Sequence, residues 1–192
     1  LILLKVKTGN GNAPKVEIIP TELELPDCKN PLPTAAMKAF GRECFAIGNC
    51  QGHIIVYDDR AEEAQKLSAH VGKGRHGVSG LRWKNGIWSC GNDGCVKNWI
   101  YTDQNGWICA TVFRLKVESP IGFDFHNGHM YYYGSKGAEF LLYREEHQLI
   151  SCWSGGRQRP TCFTFLDSPS THSLIFVNKG RVHELELSAK EI

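Results

Sequence analysis

Four glycines, Gly52, Gly94, Gly137 and Gly180, recur at intervals of 42, 43 and 43 residues, each just ahead of a short apolar run. A repeat in the low forties is the length of one four-stranded antiparallel sheet that stacks beside copies of itself, the blade of a β-propeller. A single unit of that size cannot bury its own apolar faces, so the period constrains the whole chain to fold as an array. Function is constrained too, because repeat arrays offer extended surfaces to partners more often than they perform chemistry.

The rest of each repeat keeps the same phase. Five or six residues after each glycine a strand ends, at Tyr57, Trp99, Tyr143 and Leu185. The runs before these ends, such as His53-Ile54-Ile55-Val56-Tyr57 and Cys95-Val96-Lys97-Asn98-Trp99, are rich in β-branched and aromatic residues and read as the third strand of a blade. Ahead of the glycines lie further apolar runs at 44–48, 87–90, 130–134 and 174–177. Between the two runs stand Asn49-Cys50-Gln51-Gly52, Asn92-Asp93-Gly94, Ser135-Lys136-Gly137 and Asn178-Lys179-Gly180. These are hairpin turns in which glycine supplies a positive φ.

The expected fold class is all-β, a partial β-propeller. Its blades fall at about 34–69, 76–113, 119–153 and 157–187, and residues 1–33 are the remnant of a preceding blade and a proline-rich linker. Propellers of this period close with about seven blades, on the order of 300 residues. Four blades and a remnant therefore read as an open arc, a fragment of something longer that begins inside a strand and without Met.

Composition bounds the function classes. Of 192 residues 42% are hydrophobic and 22% charged, and no apolar run approaches the roughly 20 residues of a membrane-spanning helix. Leu1-Ile2-Leu3-Leu4 is stopped by Lys5, so it is no signal-peptide core. Eight cysteines (Cys28, Cys44, Cys50, Cys90, Cys95, Cys109, Cys152 and Cys162) form no CxxC pair, and several sit on expected strands. They read as structural thiols in a reducing cytosolic or nuclear compartment, with no metal expected. His126-Asn127-Gly128-His129 is expected to be a solvated hairpin rather than a metal pair, and the paired acids Asp58-Asp59, Glu62-Glu63 and Glu145-Glu146 a solvated rim. Neither GxGxxG nor a P-loop lysine is present, so no cofactor is expected.

Charge is informative once it is sorted by face. Loops leading into the blades and second hairpins share one face, which collects Lys73, Arg75, His76, Lys136, Arg157, Arg159 and Lys179, with Arg114 and Lys116 close by. The opposite face collects Asp58, Asp59, Glu62, Glu63, Asp103, Glu145, Glu146 and Asp167. The net charge of +2 conceals this segregation. A one-sided basic surface attracts nucleic acid through phosphate contacts, and these seven residues are the candidate RNA-binding set.

Residues 70–99, with Gly72-Lys73, His76-Gly77-Val78 and Ser89-x-Gly91-x-Asp93-Gly94, resemble a WD repeat. Blades of that family hold a buried tetrad of histidine, hydroxyl, aspartate and tryptophan. The resemblance assigns those places to Ser89, Asp93 and Trp99, with His76 or the nearby His70 as the histidine. A hydrolase triad of His76, Ser89 and Asp93 is disfavoured, since no nucleophile elbow or oxyanion loop accompanies it. The continuation, Gly134-x-x-Gly137-x-Glu139-Phe140, Ile150-Ser151-Cys152 and Gly155-Gly156-Arg157-x-Arg159-Pro160 followed by Phe163 and Phe165, is similar to the family of WD repeat-containing protein 6. The likeness covers roughly residues 40–165, and the WD dipeptide itself survives only as Tyr57-Asp58, Trp99-Ile100, Tyr143-Arg144 and Leu185-Glu186. What the resemblance implies is a noncatalytic, cytoplasmic subunit that positions tRNA for a partner 2′-O-methyltransferase acting on the wobble ribose. The partner would supply the S-adenosylmethionine site, and a general WD-repeat scaffold for protein partners is the alternative.

Overall fold

The computed structural model describes residues 2–7, 15–20, 33–39, 44–57, 63–71, 77–136, 139–154, 162–167, 172–178 and 181–187. Strands β1 (Ile2–Lys7) and β2 (Lys15–Pro20) pair only with each other. A four-stranded meander follows, of β3 (Pro33–Ala39), β4 (Cys44–Asn49), β5 (His53–Tyr57) and β6 (Glu63–Ser68). The second meander holds β7 (Val78–Trp83), β8 (Ile87–Gly91), β9 (Cys95–Thr102) and β10 (Gly106–Arg114). The third holds β11 (Ser119–His126), β12 (His129–Lys136), β13 (Glu139–Arg144) and β14 (Gln148–Ser154). A three-stranded sheet of β15 (Cys162–Asp167), β16 (His172–Asn178) and β17 (Arg181–Leu187) comes last. Every pairing is antiparallel and joins neighbours in sequence.

The first strand of each sheet faces its counterparts: β7 packs on β3 and β11, and β11 on β15. Sheets stacked side by side through their inner strands are propeller blades, and the side-chain alternation of the central strands explains the packing. Ile87 and Trp99 point to the first blade and join Ile54, Val56, Leu67, Val78 and Trp107 in one apolar layer. Cys90 and Val96, on the opposite face of the same strands, join Phe123, Met130, Tyr132 and Leu141. Because successive side chains of a strand leave opposite faces, a blade between two others must be apolar on both. That is why β8 and β9 carry apolar residues on both faces rather than on one.

Turn geometry follows the glycines. Gly52 and Gly94 adopt φ of 85° and 78°, and the β11–β12 turn places Asn127 and Gly128 at 46° and 83°. Two consecutive positive φ values make the primed turn that matches strand twist. Gly137 and Gly180 lie outside the described residues. Trp99 is buried whereas Tyr143 is only half-buried. Tyr143 follows a register shift between Leu142 and Tyr143, near the outer end of β13, and stacks on Tyr132 with ring centroids 5.3 Å apart. Among the described residues, no helix is long and apolar enough to cross a membrane.

Candidate functional site

The chemistry-bearing cluster of the second blade is built around the β8–β9 turn. The Gly94 N–H closes it onto the Gly91 carbonyl at 3.1 Å, and Asp93 Oδ1 accepts the Cys95 N–H at 3.1 Å. Such local bonds are what favour aspartate in turns. Asp93 is thereby aimed back over β8 toward the segment that joins the first two blades.

His70 arrives from that joining segment. Its backbone N–H donates to the Gly52 carbonyl at 2.7 Å, so the first blade's hairpin fixes where the imidazole enters. The hairpin is itself shaped by Asn49, whose Oδ1 accepts the N–H groups of Gln51 and His53, each at 3.0 Å. A side chain at Gly52 would strike the His70 carbonyl, and one at Gly91 would overlap the His70 ring. Two glycines on different blades therefore leave the space that the histidine fills.

His70 Nδ1 lies 2.8 Å from Asp93 Oδ1 and its Nε2 lies 2.8 Å from Ser89 Oγ. Trp99 Nε1–H donates to Ser89 Oγ at 2.9 Å. Since the indole is only a donor, the serine hydroxyl hydrogen is left for Nε2, and Nδ1–H faces the carboxylate. Ser89 and His70 are each 0% exposed. Lys97 Nζ reaches Asp93 Oδ2 at 3.2 Å and also donates to the Ala69 carbonyl. Burial alone would raise the Asp93 pKa, but the bonds from His70 and Lys97 with their charges bring it down to about 2.

Ser89, Asp93 and Trp99 thus meet as the sequence suggested, and the histidine among them is His70. The reading that puts His76 there gives way, because both ring nitrogens of His70 fill the two available hydrogen-bonding places; His76 lies outside the described residues. Of the candidate RNA-binding residues only Lys136 is described, and it is exposed at the end of β12. Lys73, Arg75, Arg157, Arg159 and Lys179 fall outside the described residues. Arg114, the last residue of β10, and Lys116, on the connection to β11, are exposed.

The tip of the His126–His129 hairpin, Asn127-Gly128, is exposed as expected of a solvated turn, but the two histidines that flank it are engaged. His126 is buried and stacks on Phe165 of the next blade, with centroids 4.6 Å apart and planes 11° apart. His129 Nδ1 meets Glu145 Oε1, and Arg144 Nη2 donates to His129 Nε2 at 2.6 Å. Glu145 Oε2 also accepts the Met130 N–H at 3.1 Å, so this acid is a bonded clasp and not a loose rim charge. Burial opposes ionisation of Glu145, yet these bonds hold its pKa below the usual range. The sequence reading also missed Lys97, whose signal was its place four residues beyond Asp93.

None of the described Cys44, Cys50, Cys90, Cys95 and Cys109 forms a disulfide. Burial pushes the Cys90 thiol up to about 12. A thiol so reluctant to ionise is a poor nucleophile or metal ligand. Among the described residues no group of three or more His, Cys, Asp or Glu is placed to hold a metal ion.

No protein-family pattern and no curated protein sequence matches this chain. Solved structures do resemble it. The β-propeller domain of Myceliophteria thermophila Cps50 (Swd1) superposes with a TM-score of 0.61 at 12% identity, over 97% of this chain and 63% of that one. Sqt1 of Saccharomyces cerevisiae superposes with a TM-score of 0.54 at 13% identity, over 75% of this chain and 40% of that one. The chain spans less than two thirds of the length of either neighbour. Likeness at such identity speaks to fold, and the fold is a partial β-propeller.

Proposed function

We propose that this chain is a noncatalytic propeller scaffold, and that it positions tRNA for 2′-O-ribose methylation of the wobble nucleotide by a partner methyltransferase. The observation that carries the noncatalytic reading is the burial of Ser89 and His70, each 0% exposed with its polar atoms bonded inside the blade. A nucleophile must reach its substrate, and a serine shut behind a tryptophan and a histidine does not. The same arrangement joins the second blade to the hairpin of the first, which is the work of a structural clasp.

The finer reading draws on the sequence. Gly155-Gly156-Arg157-x-Arg159-Pro160 resembles the linker of the tRNA-methylation family, and the cations gather on one expected face. Phosphate contacts from Lys73, Arg75, His76, Lys136, Arg157, Arg159 and Lys179 would hold RNA by shape and charge. The deciding experiment compares salt-titrated tRNA binding of the intact protein with a variant in which Lys73, Arg75, Arg157 and Arg159 are neutralised. Weaker binding is expected, and the slope of log affinity against log salt should shrink by about 0.7–0.9 for each phosphate no longer neutralised. Identical slopes and affinities would sink the tRNA reading. A second reading, a scaffold for protein partners, is favoured by the exposed apolar surface of β10.

A further inference from the structure

The apolar layer between the second and third blades does not end where burial ends. Val96 belongs to it, and Phe113 stands opposite Val96 in β10. Ile100 follows Val96 on the same face, with Ile108 opposite. Across the gap Leu141 belongs to the same layer, Tyr143 follows it on that face, and Leu149 of β14 stands opposite Tyr143. Ile100, Ile108, Phe113 and Leu149 are each between 36% and 50% exposed, four of the eight large apolar side chains exposed among the described residues. Blades arranged radially splay apart toward the circumference, so these four line the two walls of one wedge. Trp88 backs it: its ring stacks on Phe113 at 6.0 Å and meets Phe125 edge-on at 5.0 Å.

The wedge between the first and second blades is tied shut at its outer strands. There Gln65 of β6 holds both main-chain groups of Trp107, donating to the carbonyl at 3.1 Å and accepting the N–H at 2.7 Å. Between the second and third blades the ties sit at the inner strands and their turns. Arg82 Nε donates to Asp124 Oδ1 at 3.2 Å, and Lys84 Nζ to the Gly128 carbonyl at 3.1 Å. The outer walls of this second wedge are uncharged, from Gly106 to Phe113 on one side and from Gln148 to Ser154 on the other. Its two ends differ in sign. Arg114 and Lys116 are exposed at one end, beside the Leu115 N–H that donates to the Gly94 carbonyl at 2.8 Å. Exposed Lys136 shares that face, with Glu118 as the opposing acid. Asp103 and Glu146 are exposed at the other end, in the turns that lead into β10 and β14.

We propose that this wedge receives an extended peptide segment of a partner protein, a run of large apolar residues with acidic residues at the Lys116 end and basic residues at the Asp103 end. An extended chain sends successive side chains to opposite sides, so consecutive apolar residues meet both walls. At about 3.3 Å per residue, the nine residues of β10 offer such a segment about 30 Å of wall. Nucleic acid is a poorer occupant, because its phosphates would meet no cation along these strands. Such a segment belongs to the protein-scaffold reading, on which the proposal rests, and not to the tRNA reading.

The probe is a random peptide library panned on the intact protein, with the commonest enriched sequence then synthesised and its binding followed by fluorescence anisotropy. Enriched sequences should hold an apolar run with acids at one end and bases at the other, and should bind in the micromolar range. Phe113→Asp and Leu149→Asp should each weaken binding by about tenfold or more. Val112→Asp, on the other face of the same strand, should leave it unchanged. Lys116→Glu should weaken it too, and replacing the acids of the peptide by lysine should restore it. Unchanged thermal unfolding of these surface variants keeps the comparison to binding alone. Peptides whose binding ignores Phe113→Asp and Leu149→Asp, or falls equally with Val112→Asp, overturn the wedge and leave the scaffold reading standing. A protein that enriches no peptide at all overturns both. Single-stranded poly(U) that displaces the peptide and is itself lost with Phe113→Asp would replace it with RNA. Pairs of wild-type chains in sedimentation that Phe113→Asp separates would replace it with a second copy.

Discussion

Asp93 keeps its charge where burial alone would favour the neutral acid, since its two oxygens take bonds from His70, Lys97 and the Cys95 N–H. Its pKa falls from 3.8 to about 2. A depressed carboxylate stabilises the fold fully above 3.8 and loses that contribution as pH falls from 3.8 toward 2, an effect of about 2 kcal/mol for one such group. Asp93→Asn keeps the shape and one acceptor but turns an NH2 toward Lys97. It should cost about 1–3 kcal/mol at neutral pH. Denaturant midpoints measured from pH 7 to pH 2 should show the gap to wild type closing below pH 4. A gap that stays constant with pH would mean that the charge of Asp93 contributes nothing. The offsets from Gly94 made Ser89, Asp93 and Trp99 legible in the sequence, but they could not choose between His70 and His76. That choice rests on the bond from the His70 N–H to Gly52, a contact between blades that no local spacing records.

Hairpins are the elements on which the repeat is written, and their glycines differ in what they do. Gly94 has φ of 78° with open space around the missing side chain, so only the backbone objects to substitution there. Gly94→Val should cost at least about 1 kcal/mol from left-handed strain. Gly91 carries no positive φ but lies against the His70 ring, and Gly91→Ala should displace that ring and loosen the network. Thermal unfolding separates the two effects when each is combined with His70→Ala. Removing the ring should rescue Gly91→Ala and leave the cost of Gly94→Val unchanged; equal rescue of both would refute this division. The H-x-x-H hairpin shows where element-level reading stopped. Its Asn-Gly turn was plain from sequence, whereas the burial of His126 depends on Phe165 from a different blade, 39 residues along.

Across the whole molecule, stability passes from blade to blade through the layers between them, as in other arrays where each repeat touches only its neighbours. The first and second blades share an apolar layer and the His70 clasp, and the second and third share the layer around Phe123 and Tyr132. Third and fourth blades meet at a small aromatic joint: Phe165 stacks on His126 and lies 4.7 Å from Tyr131. Phe165 is half-buried, so truncating it removes less than a fully buried ring, about 2–3 kcal/mol. The loss should be local. In hydrogen exchange, Phe165→Ala should speed the amides of β15, β16 and β17 while those of β8 and β9 keep their protection, because local opening follows the weakest interface. The aromatic joint should also give way before the clasp, since the clasp bonds do not involve the fourth blade. Acceleration spread evenly over all strands would show instead that the blades unfold as one cooperative unit, and the picture of stability transmitted pairwise would fail.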